Sequence, residues 1–140
     1  FRVAPLMRSA AAIALAAGAT FVARGFAGDI PGLTKLIVAG FNHKGFAFID
    51  ALQPCVTFNH VNTYAWYREN IYELNDTHDK TDRAKAFAKA LEWGPKVPTG
   101  IFYQVEKPTY EDETPQLATS PLVEQSLVSP QLTELFDALV

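Results

Sequence analysis

The sequence predicts an α/β fold, and three observations carry the prediction. Residues Ala19–Arg24, ATFVAR, form a short β-branched and aromatic run bounded by Gly18 and Gly25, the signature of a strand. Apolar residues then recur at Leu33, Leu36, Ile37, Gly40 and Phe41, which is helical spacing. Phe46–Leu52, FAFIDAL, is apolar almost throughout, as a strand covered on both faces of a parallel sheet would be. Strand, helix and strand in this order make a right-handed crossover between parallel neighbours.

Ahead of the first strand, Ser9–Ala17 is Ala-rich and is expected to be a helix stopped by Gly18. Arg2, Arg8 and the run AAAIALAAGA also imitate a secretory signal. The helix is preferred, because alanine is only weakly apolar and the strand follows without a break. In the crossover helix, Asp29 is the expected N-cap and Pro31 stands in the first turn. His43 and Lys44 are expected in its last turn, where positive charge suits the dipole, with Gly45 ending it. Pro54 stops the second strand. Cys55 then falls just outside the carboxyl end of a parallel strand, and in open α/β sheets that rim is where ligands bind.

The pattern changes after Asn59. Tyr64, Tyr67, Ile71 and Leu74 suggest a short helix capped by Thr63. A clearer helix runs from about Asp82 to Trp93, capped by Asp79 or Thr81 and ended by Gly94-Pro95. Ala84, Phe87, Ala88 and Leu91 form its apolar stripe, while Lys80, Arg83, Lys85 and Lys89 are expected on its solvated face. Gly100–Val105, GIFYQV, reads as one more strand. Pro108, Pro115, Pro121 and Pro130 then forbid long regular elements. They predict an extended arm closed by a short helix over Gln131–Leu139. Its Leu117, Leu122, Val123, Leu127 and Val128 need an apolar surface, on the α/β core or on another subunit.

Composition bounds the function. The chain has 140 residues, the length of one ordinary domain. With 49% hydrophobic and 19% charged residues, it is not a disordered tail. A net charge of -3 argues against a nucleic-acid surface. The charge is uneven, a net +4 over residues 1–44 and a net -7 over residues 45–140. The single cysteine excludes an internal disulfide framework. It also excludes any zinc or iron–sulfur site built from this chain's thiols alone. The longest apolar run, Ala10–Ala19, is too short to span a bilayer. The chain begins with Phe1, and the expectation is that it is a piece of a longer protein.

Five stretches then carry a resemblance: ATFVARGFAGD, HKGFAFIDALQPCVTFN, the WYRENIYEL region, HDKTDRAKAFAKALEWG and IFYQVEKPTYED. In order and spacing they resemble the β subunits of the two-subunit 2-oxoacid:ferredoxin oxidoreductases, which act on pyruvate or 2-oxoglutarate. The resemblance covers about residues 18–123, HKGFAFIDALQPCVTFN being its most distinctive part; the first dozen residues match poorly. It implies that residues 1–58 are the carboxyl-terminal part of a thiamine-diphosphate-binding parallel-sheet domain. Residues 59–140 would be a helical segment followed by an extended Pro-rich arm. In the family, thiamine diphosphate and Mg²⁺ are held by a Gly-Asp-Gly motif with a downstream Asn. Three cysteines of that same preceding half go to a [4Fe-4S] cluster, and none of these motifs is present here. The fourth cluster cysteine belongs to an LQPC motif, which this chain matches at Cys55.

The implied reaction is oxidative decarboxylation of a 2-oxoacid to acyl-CoA, with electrons passing through the cluster to ferredoxin or flavodoxin. An α subunit is the implied partner, coenzyme A and a 2-oxoacid the substrates, and the cytoplasm the compartment. The resemblance leans to 2-oxoglutarate or broad 2-oxoacid use. The chain by itself would be inactive and holds no catalytic residue. The competing reading is a non-catalytic structural or docking α/β domain, with a stable monomer and an inert, buried thiol.

Taken alone, a lone cysteine is an ordinary small hydrophobe; the LQPC match makes Cys55 a metal ligand on an electron path and not a nucleophile. Pro54 fixes the backbone before it. Thr57 and Asn59 are near enough in sequence to donate to cluster sulfurs, but ordinary Asx-turn chemistry explains them and is preferred. His43 is read as a helix-end residue. His60 and His78 are read as loop residues whose spacing fits no zinc pattern. Arg24-Gly25 and Gly28-Asp29 lie on the ligand rim, where a tight turn with an N-cap explains them as well as cofactor contact does. Asp50, a lone charge in an apolar strand, is left facing either a helix end or a partner. Trp66 and Trp93 are read as core.

Overall fold

The computed structural model describes residues 9–118, 120–125 and 136–137. It contains the crossover that the sequence predicts. Strands β1 (Phe21–Phe26) and β2 (Ala47–Leu52) run parallel, from Phe21 opposite Ala47 to Phe26 opposite Leu52. Helix α2 (Ile30–Phe41) joins them. Asp29 caps α2 by accepting the Gly32 N–H, and Pro31 stands in its first turn, as read from sequence. Ahead of β1, α1 (Ala10–Ala16) starts at Ser9, whose hydroxyl accepts the Ala12 N–H, and ends before Gly18 at φ +97°.

The remaining elements are α3 (Tyr64–Asn70), β3 (Ile71–Glu73), α4 (Arg83–Leu91) and β4 (Val97–Gln104). The strand order is β2-β1-β4-β3. β3 and β4 are parallel, and β4 runs antiparallel to β1. The sheet is therefore two parallel pairs that meet antiparallel at its centre. On one face, Val22 and Phe102 pack beneath α1 and α4 in a cluster rich in small residues: Ala11, Ala12, Leu15, Ala86 and Ala90. Near the carboxyl end of β1, Phe26, Leu52, Val97 and Tyr67 of α3 form a second cluster. On the opposite face, α2 meets the sheet at Gly40, where a Cβ would lie 3.1 Å from Ile49 Cδ1 and 3.5 Å from Phe21.

Several details depart from expectation, each for a local reason. Helix α2 ends at Asn42, so His43 and Lys44 lie past it and Gly45 does not terminate it. Gly45 instead takes φ +131° in the turn into β2, pressed against the Thr20 hydroxyl. Helix α4 is capped by Asp82, not Asp79 or Thr81, because the Asp79 carboxylate is occupied by the Thr81 N–H and hydroxyl. Its buried residues are Ala86 and Ala90, small enough to let α4 approach α1, while Ala84 and Ala88 are exposed. Arg83 and Lys89 are not merely solvated. Arg83 donates to the Leu15 carbonyl at 2.9 Å and lies over the Tyr103 ring, and Lys89 joins Tyr72 and Glu92. β3 occupies residues expected at the end of the α3 helix, and β4 begins at Val97 rather than Gly100. β2, expected to be covered on both faces, is an edge strand and mostly half-buried.

Contacts divide the chain into two units, Phe1–Thr109 and Tyr110–Val140. The second contains two single-turn 3₁₀ helices among its described residues, Pro115–Leu117 and Leu122–Glu124. There Gln125 Nε2 donates to the Gln116 and Ser120 carbonyls at 2.8 and 2.9 Å. Leu122 and Val123 are exposed. Leu127, Val128 and the helix expected over Gln131–Leu139 lie outside the described residues, apart from Phe136 and Asp137. No helix among the described residues is long and apolar enough to cross a membrane.

Candidate functional site

The carboxyl ends of β1 and β2 form a rim of two loops. The first, Ala27–Asp29, is tied to β2 by the Ala27 N–H donating to the Leu52 carbonyl at 3.0 Å. Gly28 lies so close to the Phe26 ring that any side chain there would run into it, and Tyr64 closes the other side. The second loop leaves β2 through Gln53 and the buried Pro54, and its first exposed turn presents Cys55.

The Cys55 loop is built from its own backbone. The Cys55 carbonyl accepts N–H bonds from Asn59 at 2.8 Å and Phe58 at 3.3 Å. Asn59 Oδ1 accepts from the Val61 and Asn62 amides, both at 3.0 Å, which is the Asx turn that the sequence suggests. Thr63 then caps α3, and Tyr64 and Tyr67 pack on Phe26 with ring centroids 5.8 and 5.3 Å away. The loop is thus anchored at both ends, and its thiol faces outward. An exposed thiol on a fixed turn is open to ligation or exchange. That is opposite to the buried, inert thiol of a docking domain.

Among the described residues, no group of three or more His, Cys, Asp or Glu side chains is placed to hold a metal ion. A [4Fe-4S] cluster takes four thiolates. Cys55 therefore fits as one ligand of such a group, and the others must come from elsewhere. Thr57 is exposed, and the Asn59 side chain is committed to its turn, its Nδ2 donating to Asn62 at 3.3 Å. Two of the three histidines are engaged elsewhere in hydrogen bonds. His43 shares a hydrogen bond of 3.0 Å with Thr20, His78 meets the Phe102 carbonyl at 2.8 Å, and His60 is exposed.

Two charged clusters escape the sequence reading. Arg24, the register partner of Asp50, is 1% exposed and pairs with it through Nε at 2.9 Å. Its Nη2 donates to Ser9 Oγ and to the Ala90 carbonyl, both at 3.2 Å, while its guanidinium lies over Phe102 and Trp93. One residue thereby ties α1, α4 and both parallel strands together. The signal was present: two opposite lone charges sit at the same position in adjacent apolar strands. Trp93 is half-exposed and shelters this pair, and Trp66 packs edge-on against Tyr67. Burial raises the Tyr67 pKa, and Asp50 adds to the shift.

The second cluster is Tyr72, Lys89 and Glu92. Tyr72 donates to Glu92 at 2.5 Å, and Lys89 donates to Tyr72 at 3.0 Å and to Glu92 at 2.7 Å. Burial and the Glu92 hydrogen bond raise the tyrosine. Hydrogen bonds to Glu92 and Tyr72 raise the lysine. Burial pushes the Glu92 carboxyl up, but the bonds from Lys89 and Tyr72 outweigh it and bring it down. All three groups are thereby held in their ordinary ionisation states, which suits an ion-pair brace better than acid–base catalysis.

Comparison with known proteins bears on the same segment. Residues 55–119, which begin at Cys55, match the family described as the C-terminal part of the pyruvate ferredoxin oxidoreductase beta subunit. The chain is 45% identical over 113 residues to a 2-oxoacid:ferredoxin oxidoreductase subunit beta of Sulfolobus sp, covering 72% of this chain and 37% of that protein. It is 30% identical over 113 residues to the 2-oxoglutarate synthase subunit KorB of Methanocaldococcus jannaschii, covering 75% of this chain and 39% of that protein. Its fold is similar to a 2-oxoglutarate:ferredoxin oxidoreductase from Magnetococcus marinus, solved with 2-oxoglutarate, coenzyme A and succinyl-CoA bound. The TM-score is 0.72 at 27% identity, over 94% of this chain and 44% of that chain. The chain thus spans 37–44% of the length of these relatives, and the resemblance read from its motifs holds.

Proposed function

We propose that this chain, a relative of the β subunits of 2-oxoacid:ferredoxin oxidoreductases, is the carboxyl-terminal part of such a subunit. Its enzyme would convert a 2-oxoacid and coenzyme A to acyl-CoA and CO₂, passing two electrons singly to ferredoxin or flavodoxin. The observation that carries this reading is the exposed Cys55, fixed on an anchored turn at the start of the matched family segment. A [4Fe-4S] cluster, when bound, supplies single-electron transfer. This chain would give it one thiolate at Cys55 Sγ, held in place by Pro54 and by the two amides on the Cys55 carbonyl.

The other three thiolates, thiamine diphosphate and Mg²⁺ are assigned to residues outside this chain. Residues 1–58 would complete the thiamine-diphosphate-binding domain. The parallel β1–β2 pair, and a family match that begins only at residue 55, support that division. Residues 59–140 would be the carboxyl-terminal segment and arm. The α subunit is the proposed partner, and the cytoplasm is the compartment that suits an oxygen-sensitive cluster. The KorB relative and the 2-oxoglutarate-bound neighbour favour 2-oxoglutarate or broad 2-oxoacid use.

The test is ferredoxin reduction by the complete two-subunit enzyme with 2-oxoglutarate or pyruvate and coenzyme A. The enzyme should reduce ferredoxin, and the 140-residue chain alone should not. A complete enzyme that reduces ferredoxin at an undiminished rate without these residues would contradict the proposal.

A further inference from the structure

The turn that carries Cys55 also carries a large apolar side chain that nothing among the described residues covers. Phe58 is 87% exposed. Single apolar side chains in water are ordinary, so the place of Phe58 relative to the thiol decides its meaning. The Cys55 carbonyl accepts from the residues three and four positions on, Phe58 and Asn59, which is one turn of helix. No non-glycine residue among those described has a positive φ, so the turn is right-handed. Residues three and four apart on such a turn share a side, and adjacent ones do not. Phe58 and Asn59 are therefore the neighbours of the Cys55 side chain, and Val56 and Thr57 are not. The Asn59 side chain is turned to the Val61 and Asn62 amides and to the Asn62 side chain. The aromatic cluster behind the turn, Phe26, Tyr64 and Tyr67, packs without Phe58. The Phe58 ring is left beside the exposed thiol.

We propose that the Phe58 ring covers the [4Fe-4S] cluster ligated by Cys55, keeping water from its sulfurs and holding its reduction potential low. The proposal rests on the reading of Cys55 as a cluster ligand and adds the residue that tunes that cluster. The occupant follows from position: ring and thiol share a side of the turn, so what Cys55 ligates lies against the ring. A cluster with four thiolate ligands is an anion, and the electron it accepts adds one more negative charge. Water and hydrogen bonds to the sulfurs stabilise that extra charge, and an apolar wall withholds both. The turn adds few donors of its own, because the Phe58 and Asn59 amides are committed to the Cys55 carbonyl and the Asn59 side chain to its Asx turn. A low potential is what passing single electrons to ferredoxin demands. Phe58 is in this sense a positioning residue, acting on the cluster by excluding solvent and not by ligation.

Redox titration of the complete two-subunit enzyme, followed by the electron paramagnetic resonance signal of the reduced cluster, tests this. Every sample is purified without oxygen and assayed first for iron and acid-labile sulfide. Phe58→Ser should keep its cluster, and its midpoint potential should rise by at least about 59 mV, a tenfold gain in the reduced-to-oxidised ratio for one electron. Its cluster should also bleach faster in air. Phe58→Leu, still apolar, should stay close to the parent enzyme, and so should Val56→Ser, on another side of the turn. An unchanged potential in a cluster-loaded Phe58→Ser enzyme would overturn the proposal. An equal shift in Val56→Ser would overturn it too, by marking a general loosening of the turn. Loss of iron from both Phe58 variants would make the ring a structural support and have the same effect. Cys55→Ala in the same set tests the ligand reading by itself. Full iron there denies ligation whatever Phe58 does, while lost iron there beside an unmoved Phe58→Ser potential denies only the cover.

Discussion

Arg24 is tolerable at 1% exposure because Asp50 stands beside it in register and Ser9 and Ala90 accept from its Nη2; among the described residues its buried Nη1 has no hydrogen-bond partner. Removing one partner of a buried pair leaves an uncompensated charge. Asp50→Ala should therefore cost about 3–5 kcal/mol, and Arg24→Met with Asp50→Leu should recover most of it. Denaturant unfolding of the subunit measures both, and a loss near zero for Asp50→Ala would show that the pair does not hold the sheet. His43 is a second case. Thr20 Oγ1 is a donor to the Phe46 carbonyl and an acceptor of the Phe46 N–H, so His43 Nε2–H donates to it, and the buried Nδ1 is without a partner among the described residues. Burial lowers the His43 pKa below 6.5, against the pull of Glu106. The unfolded chain then binds the proton more readily than the folded one, so stability falls as pH drops through 6.5 toward the folded value. His43→Gln keeps a donor near Thr20 and should flatten this dependence in melts between about pH 7.5 and 5.5. An unchanged slope would place the titration elsewhere. The His43 contact left no signal in the sequence, and the Arg24–Asp50 signal went unread. A lone Asp or His declares its partner only when the register is known, although Arg24 and Asp50 do sit at matching positions of their strands.

Helices with one cap and one stripe were legible, as were β1 and β2, whereas β3 and the start of β4 were not. Asp29 and Thr63 each cap the helix that the sequence assigns to them, and Ser9, read as the first residue of its helix, caps α1. β3 is only three residues long. Its Ile71, with Leu74, falls at helical spacing from Tyr64 and Tyr67, so periodicity placed it in α3. The start of β4 was hidden by Pro98, which argues against a strand interior, yet Pro98 stands opposite Tyr72 of β3. At α4, three capping candidates lie within four residues, and only the structure shows that Asp79 is used by Thr81. Two substitutions test the elements that frame the Cys55 loop. Thr63→Ala removes the α3 cap and should cost about 1 kcal/mol, with faster exchange at the Trp66 amide. Gly45→Ala places a side chain at φ +131° against Thr20 and should cost more than about 1 kcal/mol. If Gly45→Ala melts like the parent chain, the turn is not held as described.

At the scale of the whole molecule, the chain spans under half the length of the relatives it matches. The α/β class, the crossover and the rim position of Cys55 followed from pattern and spacing. The family followed from motif resemblance, which the comparisons bear out. The sequence did not show that its most apolar strand would lie at an edge, because pattern reports what a strand is built to contact and not whether this chain supplies it. The central claim is that Cys55 ligates a [4Fe-4S] cluster shared with the rest of the subunit. The direct measurement is iron and acid-labile sulfide per complete subunit, purified without oxygen, for the parent protein, Cys55→Ala and Thr57→Ala. The account predicts cluster content that is kept in Thr57→Ala and lost in Cys55→Ala, with folding of both variants verified by circular dichroism. Unchanged iron and sulfide in a folded Cys55→Ala subunit would contradict it.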